Sequence, residues 1–275
     1  MTAEGSTRCA VLGSPIVHSL SPLLHRAAYA ALGLNWTYER FEVSAAGLAD
    51  FVAGLDSSWR GLSLTMPLKE AVLGLGAVDP VARLAGAGNT LILGGRRRVY
   101  NTDVAGLVWA VRRVTTGPVP RVTILGSGAT ARSGVVAVAQ LGVEAVTVVA
   151  RTPTKAASLA GLGAELGLAM RVQPWGSALP RADLVLSAAT AGAVDPMADE
   201  IASSAPVVFD IVYAPWPTPL ARAAAQAGCT VIGGLDLLVG QALRQVELMT
   251  GQSVPAEVLY AALDENRSQT TGFGP

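Results

Sequence analysis

A chain of 275 residues with 51% hydrophobic and only 15% charged residues is long enough to bury one large core or two modest ones, and it is too apolar for the disordered class. Its 20 basic residues balance 20 acidic ones, without a basic stripe or interleaved aromatics, which argues against nucleic acid as a partner. The longest apolar stretch, 134–150, is broken by Gln140 and Glu144, where a spanning helix would need roughly 20 nearly unbroken apolar residues, so no membrane association is expected. The N-terminus carries no basic region ahead of a long apolar run, and Cys9 and Cys229 lack metal-ligand spacing. The expectation is a cytoplasmic protein with reduced cysteines and no metal, and the composition leaves monomer or homodimer open.

Short apolar strands alternate with helical stretches, the pattern of a parallel sheet covered by helices. Strands are expected at 8–12 and 36–43, separated by a helix over 22–32, with a third strand at 61–65. Segments 89–93 and 99–101 flank a Gly94-Gly95 turn beside Arg96, Arg97 and Arg98, which reads as a solvated hairpin, or else as a basic patch. A helix follows from Asp103 to about 114, and the run Thr-Gly-Pro-Val-Pro at 116–120 breaks the pattern as a linker would. A second series then begins, with strands at 121–125, 145–150, 183–187 and 207–211 and helices at 129–141 and 154–166. The last forty residues read as helical, with Pro255 marking a restart.

The basic residues are distributed unevenly by type: only Lys69 and Lys155 are lysines, and the rest are arginines. Arginine stays protonated throughout the working pH range, whereas a lysine ammonium can be tuned to exchange a proton with substrate. A GC-rich coding bias that leaves two surviving lysines on solvated helices is the plain alternative.

Residues 122–132, Val-Thr-Ile-Leu-Gly-Ser-Gly-Ala-Thr-Ala-Arg, place a glycine-rich turn between an apolar strand and an alanine-rich helix. Gly126 suits the tight turn, Gly128 lets backbone approach a pyrophosphate, Ala131 takes the third small position, and the helix N-terminus offers unpaired amides. Where an NAD site would put an acid, this chain has Arg151-Thr-Pro-Thr-Lys155, a basic pair with hydroxyls that suits the 2′-phosphate of NADP. The competing reading has Arg151 and Lys155 merely solvating a helix start. At 13–25, Ser19 and Ser21 sit where a helix opens with Pro22 in its first turn, so Ser21 is either a capping serine or part of a carboxylate site at the helix N-terminus. Both histidines, His18 and His25, lie in this stretch without a carboxylate or cysteine beside them, which disfavours metal and nucleophile readings.

Taken together, the motifs resemble those of the shikimate dehydrogenase family over nearly the whole chain. Gly-Ser-Pro-Ile-Val-His-Ser-Leu-Ser-Pro at 13–22 resembles its opening motif, Thr-Met-Pro-Leu-Lys at 65–69 its lysine segment, and Gly-Ala-Gly-Asn-Thr at 86–90 its asparagine turn. Asn-Thr-Asp-Val-Ala-Gly at 101–106 is similar to its aspartate segment, and Asp-Ile-Val-Tyr-Ala-Pro-Trp-Pro-Thr-Pro at 210–219 and Gly-Gly-Leu-Asp-Leu-Leu-Val-Gly-Gln-Ala at 233–242 complete the order. The resemblance implies an α/β protein of two domains with a cleft between them. A mainly parallel substrate domain would take 1–103 plus 236–275, and a Rossmann-type NADP domain 104–235. It implies interconversion of 3-dehydroshikimate and shikimate with NADPH, a step of aromatic amino acid (chorismate) biosynthesis.

Carried over by position, Lys69 and Asp103 would be the catalytic pair. A helix cap after Thr102 is the alternative reading of Asp103, and the presence of Lys69 favours the catalytic one. Ser19 and Ser21 would hold the substrate carboxylate, Thr65, Asn89 and Gln241 would contact ring hydroxyls or the catalytic groups, and Tyr213 would help close the site. The cofactor would meet Gly126, Ser127, Gly128, Ala129, Thr130, Ala131, Arg151, Thr152, Lys155, Ala189, Thr190, Gly234 and Leu238. The chain departs from the family pattern at Ser63 and Ala150, where asparagine is usual, and at 187–190, which reads Ser-Ala-Ala-Thr instead of Asn-Ala-Thr. An enzyme of the same fold acting on quinate, a cofactor-binding protein without catalysis, or a reductase of another small acid are the alternatives; retention of Ser19, Ser21, Lys69 and Asp103 favours shikimate.

Overall fold

The computed structural model describes residues 6–271, apart from the side chains of 153, 155 and 269–271. It divides into two compact units, one formed by residues up to Thr102 together with those from Val239 onward, the other by Asp103–Leu238. From the motifs, the joints were expected at 103/104 and 235/236. Both fall within continuous helices, so neither is a Pro- or Gly-rich linker. The run at 116–120 lies inside the second unit, joining a helix to a strand, and does not separate units.

The first unit opens with β1 (Thr7–Gly13), α1 (Ser21–Ala31), β2 (Trp36–Glu42), α2 (Leu48–Ala53) and β3 (Trp59–Leu64). It continues with β4 (Ala77–Val78), α3 (Pro80–Ala85), β5 (Thr90–Ile92) and β6 (Arg98–Tyr100). The sheet order is β2-β1-β3-β5-β6-β4, parallel at β2-β1, β1-β3 and β6-β4 and antiparallel at β3-β5 and β5-β6. The arginine-flanked hairpin thus forms as expected, but its second strand is covered by β4 and is not an edge.

Alternation along β1 sends Ala10 and Leu12 to one face and Cys9 and Val11 to the other, and each face has its own apolar core. Burial pushes the Cys9 thiol up to about 11, so this cysteine behaves as a small inert hydrophobe. Asp79 caps α3 by accepting from the Val81 amide, and Pro80 occupies its first turn, a start signal readable in sequence.

The second unit holds α4 (Thr102–Val114), β7 (Arg121–Leu125), α5 (Ala129–Gln140), β8 (Ala145–Ala150) and α6 (Pro153–Glu165). Then come β9 (Ala169–Pro174), β10 (Leu184–Ser187), α7 (Ala198–Ser204), β11 (Val207–Asp210), α8 (Pro219–Gln226) and β12 (Thr230–Gly233). Its six strands run parallel in the order β12-β11-β10-β7-β8-β9. Chain order reverses between β7 and β10, and in doubly wound sheets ligands bind outside the carboxyl ends of the strands at that reversal. The chain passes into this unit at the start of α4 and returns within α9 (Gly234–Thr250). The final helix, α10 (Ala256–Thr271), packs on α1. Among the described residues no helix is long and apolar enough to cross a membrane.

Candidate active site

In the first unit three sequence motifs converge because three strand ends converge. Gly13 ends β1 so close to the segment after β3 that a Cβ there would stand 2.5 Å from Thr65 Cγ2. The Ser14 amide donates to Met66 O at 3.0 Å and the Thr65 amide to Leu12 O at 2.9 Å, sewing the opening motif to the lysine segment. Next along the sheet the Leu64 amide donates to Asn89 O at 2.8 Å, and the Gly88 amide donates to Lys69 O at 2.7 Å. Ser19, Thr65, Lys69 and Asn89 therefore belong to loops at one end of the central strands of one sheet. Thr65 and Lys69 are half-buried, and Asn89 is buried.

Ser21 is not the helix cap. The cap position of α1 falls on Leu20, already in the right-handed helical region, so Ser21 is the first helical residue and Pro22 lies in the first turn. The capping hydroxyl comes from Ser19, whose Oγ accepts from the Ser21 amide at 3.3 Å. Side-chain capping thus shifts two residues upstream. His25, one turn into α1, is fully buried, and burial drives it down to about 4, so the ring is neutral at physiological pH.

Asn89 organises its surroundings through its side chain. Its Oδ1 accepts from the Thr102 amide at 2.7 Å, from Thr102 Oγ1 at 3.1 Å and from Thr90 Oγ1 at 3.0 Å. Its Nδ2 donates to Gln241 Oε1 at 3.5 Å. The first residue of α4 is thus fixed by a side-chain oxygen, and Asp103, next in the chain, lies in the first turn of that helix and is 6% exposed. That makes Asp103 an intrahelical residue, so the cap after Thr102 that its position allowed is not its place. Asn101, the other polar member of this segment, donates to Ala87 O at 2.9 Å and ties the aspartate segment back to the asparagine turn.

In the second unit the glycine-rich turn follows β7. Gly126 has φ +116°, a conformation that side-chain-bearing residues rarely adopt, and a Cβ there would meet Ala188 O at 2.9 Å. Ser127 and Thr130 are half-buried around it, Ala129 opens α5, and Ala131 is fully buried beneath the helix. Gly128, the cap residue of α5, has no atom within 4 Å of its would-be Cβ, the open space a pyrophosphate needs beside backbone amides. Close helix-on-strand approach falls at Gly134, where a Cβ would stand 2.7 Å from Leu186 Cδ2; no sequence reading singled this residue out. Ala189 and Thr190 follow β10 on the other side of the strand-order reversal.

After β8, Arg151 and Thr152 are exposed, with the Arg151 guanidinium 5.8 Å from the Trp175 ring centroid. Thr152 is the cap residue of α6 yet makes no capping bond with its side chain. Lys155 is in the first turn of α6, and its side chain lies outside the described residues. A cavity of about 410 Å³ lined by Ala150, Arg151, Ala156, Gln173 and Trp175 opens here. The exposed Arg151 guanidinium thus stands beside the N-terminus of α6, where positive charge and unpaired amides favour an anion. A larger opening of about 830 Å³ lies at the opposite, N-terminal strand ends, near Arg121, Asp183 and Cys229, away from the reversal.

Tyr213 lies on the loop after β11, half-buried, its phenol pushed up by burial. That loop is anchored by Asp210, which accepts from Thr218 Oγ1 at 2.7 Å and from the Val212 amide at 3.2 Å. Gly234 approaches the same loop closely, its would-be Cβ only 2.1 Å from Ile211 O, and Leu238 follows one turn on in α9, partly buried. Among the described residues no cluster of histidine, cysteine or acidic side chains could hold a metal.

Fold and site together define a class: a Rossmann-type dinucleotide-binding unit joined to a second α/β unit whose serine-, lysine- and asparagine-bearing loops meet at one end of its strands. Residues 11–91 match the shikimate dehydrogenase substrate binding domain, and 234–263 match the shikimate 5′-dehydrogenase C-terminal domain. The NADP(+) shikimate dehydrogenase of Moorella thermoacetica is 38% identical over 97% of this chain and 95% of its own. A crystal structure of Mycobacterium tuberculosis shikimate dehydrogenase superposes with TM-score 0.88 at 42% identity, over 94% of this chain and 99% of that one. The Thermus thermophilus enzyme in complex with NADP(H) and shikimate gives TM-score 0.83 at 32% identity, over 94% and 98%. A 5-ketofructose reductase of Gluconobacter gives 0.85 at 29%, over 94% and 98%. The chain belongs to the shikimate dehydrogenase family.

Proposed function

We propose that this chain interconverts 3-dehydroshikimate and shikimate with NADPH and NADP+, as a cytoplasmic enzyme of aromatic amino acid biosynthesis. The observation that carries the proposal is the meeting of the loops that bear Ser19, Thr65, Lys69 and Asn89 at one end of one sheet, in a chain whose relatives are NADP(+) shikimate dehydrogenases. Bound NADPH supplies the hydride. The rest of the chemistry falls to side chains. As negative charge develops on the carbonyl oxygen, the Lys69 ammonium stabilises it and delivers the proton, then recovers a proton from solvent. Asp103 orients that ammonium and accepts a hydrogen bond from the substrate hydroxyl. Ser19 and Ser21 hold the carboxylate at the start of α1, where the helix dipole favours an anion. Asn89, Gln241 and Thr65 fix the ring hydroxyls, and Tyr213 helps close the site. Gly126 to Ala131, Ala189, Thr190, Gly234 and Leu238 hold the dinucleotide, and Arg151, Thr152 and Lys155 take its 2′-phosphate.

The Gluconobacter relative acts on 5-ketofructose, so substrate choice within this fold must be tested directly. Purified protein is offered shikimate or quinate with NADP+ or NAD+, and 5-ketofructose with NADPH, while nicotinamide absorbance is followed. Turnover is expected to be fastest with shikimate and NADP+. No turnover with that pair, or preference for 5-ketofructose, would overturn the proposal.

A further inference from the structure

Behind the proposed substrate residues lies a buried polar network that the chemistry above does not use. Gln245, 1% exposed, stands one helical turn after Gln241 on α9. Its amide has four neighbours. Asn89 O lies 3.1 Å and Thr90 Oγ1 3.0 Å from Nε2, while Ser63 Oγ lies 2.8 Å and His25 Nε2 3.1 Å from Oε1. A backbone carbonyl only accepts, so the amide nitrogen must face Asn89 O, and the orientation of the amide is settled by chemistry. Its oxygen must then receive two donors, which assigns the proton of neutral His25 to Nε2 and the hydroxyl proton of Ser63 to Gln245. Ser63 in turn accepts from Tyr38 OH at 2.6 Å, and His25 stacks on the Tyr38 ring with centroids 4.0 Å apart. Every hydrogen-bonding valence of the Gln245 amide is therefore spent, and half of them hold the Asn89-Thr90 turn.

We infer that Gln245 is a positioning residue for the proposed substrate site: by clamping the Asn89 carbonyl and the Thr90 hydroxyl it fixes Asn89, and through Asn89 both Thr102 ahead of Asp103 and the partner amide of Gln241. Ser63 belongs to the same device. Its short hydroxyl accepts from Tyr38 and donates to Gln245, so position 63 serves α9 and the asparagine turn. A satisfied buried network of this kind specifies one arrangement, and removing a member leaves its partners unpaired.

The inference rests on the proposed activity for one of its two readouts and is independent of it for the other. In shikimate oxidation, Gln245→Met is expected to lower kcat/KM for shikimate roughly tenfold with the NADP+ Michaelis constant unchanged, the loss of about one buried hydrogen bond at the site. Ser63→Ala, which removes one donor and keeps the clamp, is expected to cost roughly threefold and carries the test if Gln245→Met does not fold. Unchanged kcat/KM in the folded variant, or equal effects on shikimate and NADP+, would overturn the inference. Independently of turnover, nitrogen-15 histidine NMR of the whole protein should show one histidine held neutral with its proton on Nε2, alongside the exposed His18. A proton on Nδ1 of His25 would contradict the network, whatever substrate the enzyme prefers.

Discussion

The two proposed binding sites of this protein are built from different materials. At the proposed cofactor site of the second unit the shape is set by backbone: Gly126 at φ +116°, the Ala188 carbonyl against it, and the open cap at Gly128, with Arg151 and Thr152 as exposed additions. At the proposed substrate site of the first unit the shape is set by side chains holding other side chains, Asn89 with Thr90, Thr102 and Gln241, and Gln245 behind them. Backbone geometry tolerates changes of the attached charge, so cofactor preference is adjustable there. A closed side-chain network transmits the loss of any member to its neighbours, so the substrate site resists change.

The first way to break the contrast is at its backbone end. Gly126→Val forces a β-branched residue into a strained conformation and against Ala188, a cost of about 3 kcal/mol, and should weaken NADP binding by roughly 10²-fold while shikimate binding is retained. Titration calorimetry with each ligand checks this; normal NADP affinity would mean the turn is not held as described.

The second prediction probes the network through pH. His25 titrates at about 4 in the folded state against 6.5 when exposed, so only the unfolded chain takes up the proton between those values. Stability is therefore undiminished above pH 6.5 and falls as pH drops toward 4, by about 1.4 kcal/mol per unit and about 3 kcal/mol in all. Asp210, pushed up by burial in the second unit, acts with the opposite sign, so the measurement is a comparison. Denaturant unfolding of the protein and of His25→Gln across that range should show the flatter profile in the variant. Parallel profiles would place the acid sensitivity elsewhere.

A third, smaller effect is expected at the exposed cofactor addition. Arg151→Asp should raise the Michaelis constant for NADP+ roughly tenfold or more, the scale of one charge-assisted hydrogen bond lost, and leave that for NAD+ nearly unchanged. Equal effects on both dinucleotides would remove Arg151 from the 2′-phosphate site.

What the sequence disclosed differs between the two sites for related reasons. Strands β7 and β8 begin and end where the apolar runs at 121–125 and 145–150 do, because central parallel strands are buried on both faces and read as continuous hydrophobic segments. Strand β9 escaped notice: it is the sheet's edge, and Arg171, Val172 and Pro174 are exposed along it. Strand β12 is the other edge, and the short helices α2, α3, α7 and α8 give too few turns for a helical period to stand out.

The glycine turn was legible because its residues act through backbone at fixed spacing. Gln245 was not, since a lone polar residue on a helix reads as solvated until the fold shows what surrounds it. One signal was present: Gln241 and Gln245 lie four apart, the spacing of one helical face, and the apolar Leu238, Ala242, Val246 and Met249 continue that face. The capping role of Ser21 failed for a local reason, because Leu20 had already entered the helical region and moved the start of α1.

The most direct test of the proposed chemistry compares the protein and its Lys69→Ala variant in shikimate-dependent reduction of NADP+, with shikimate affinity measured alongside. The account predicts turnover by the parent chain and a loss of about 10²-fold or more in kcat in the variant, the scale of a positioned proton donor, with a much smaller change in affinity. Absence of turnover in the parent, or a variant whose defect is confined to affinity, would contradict it.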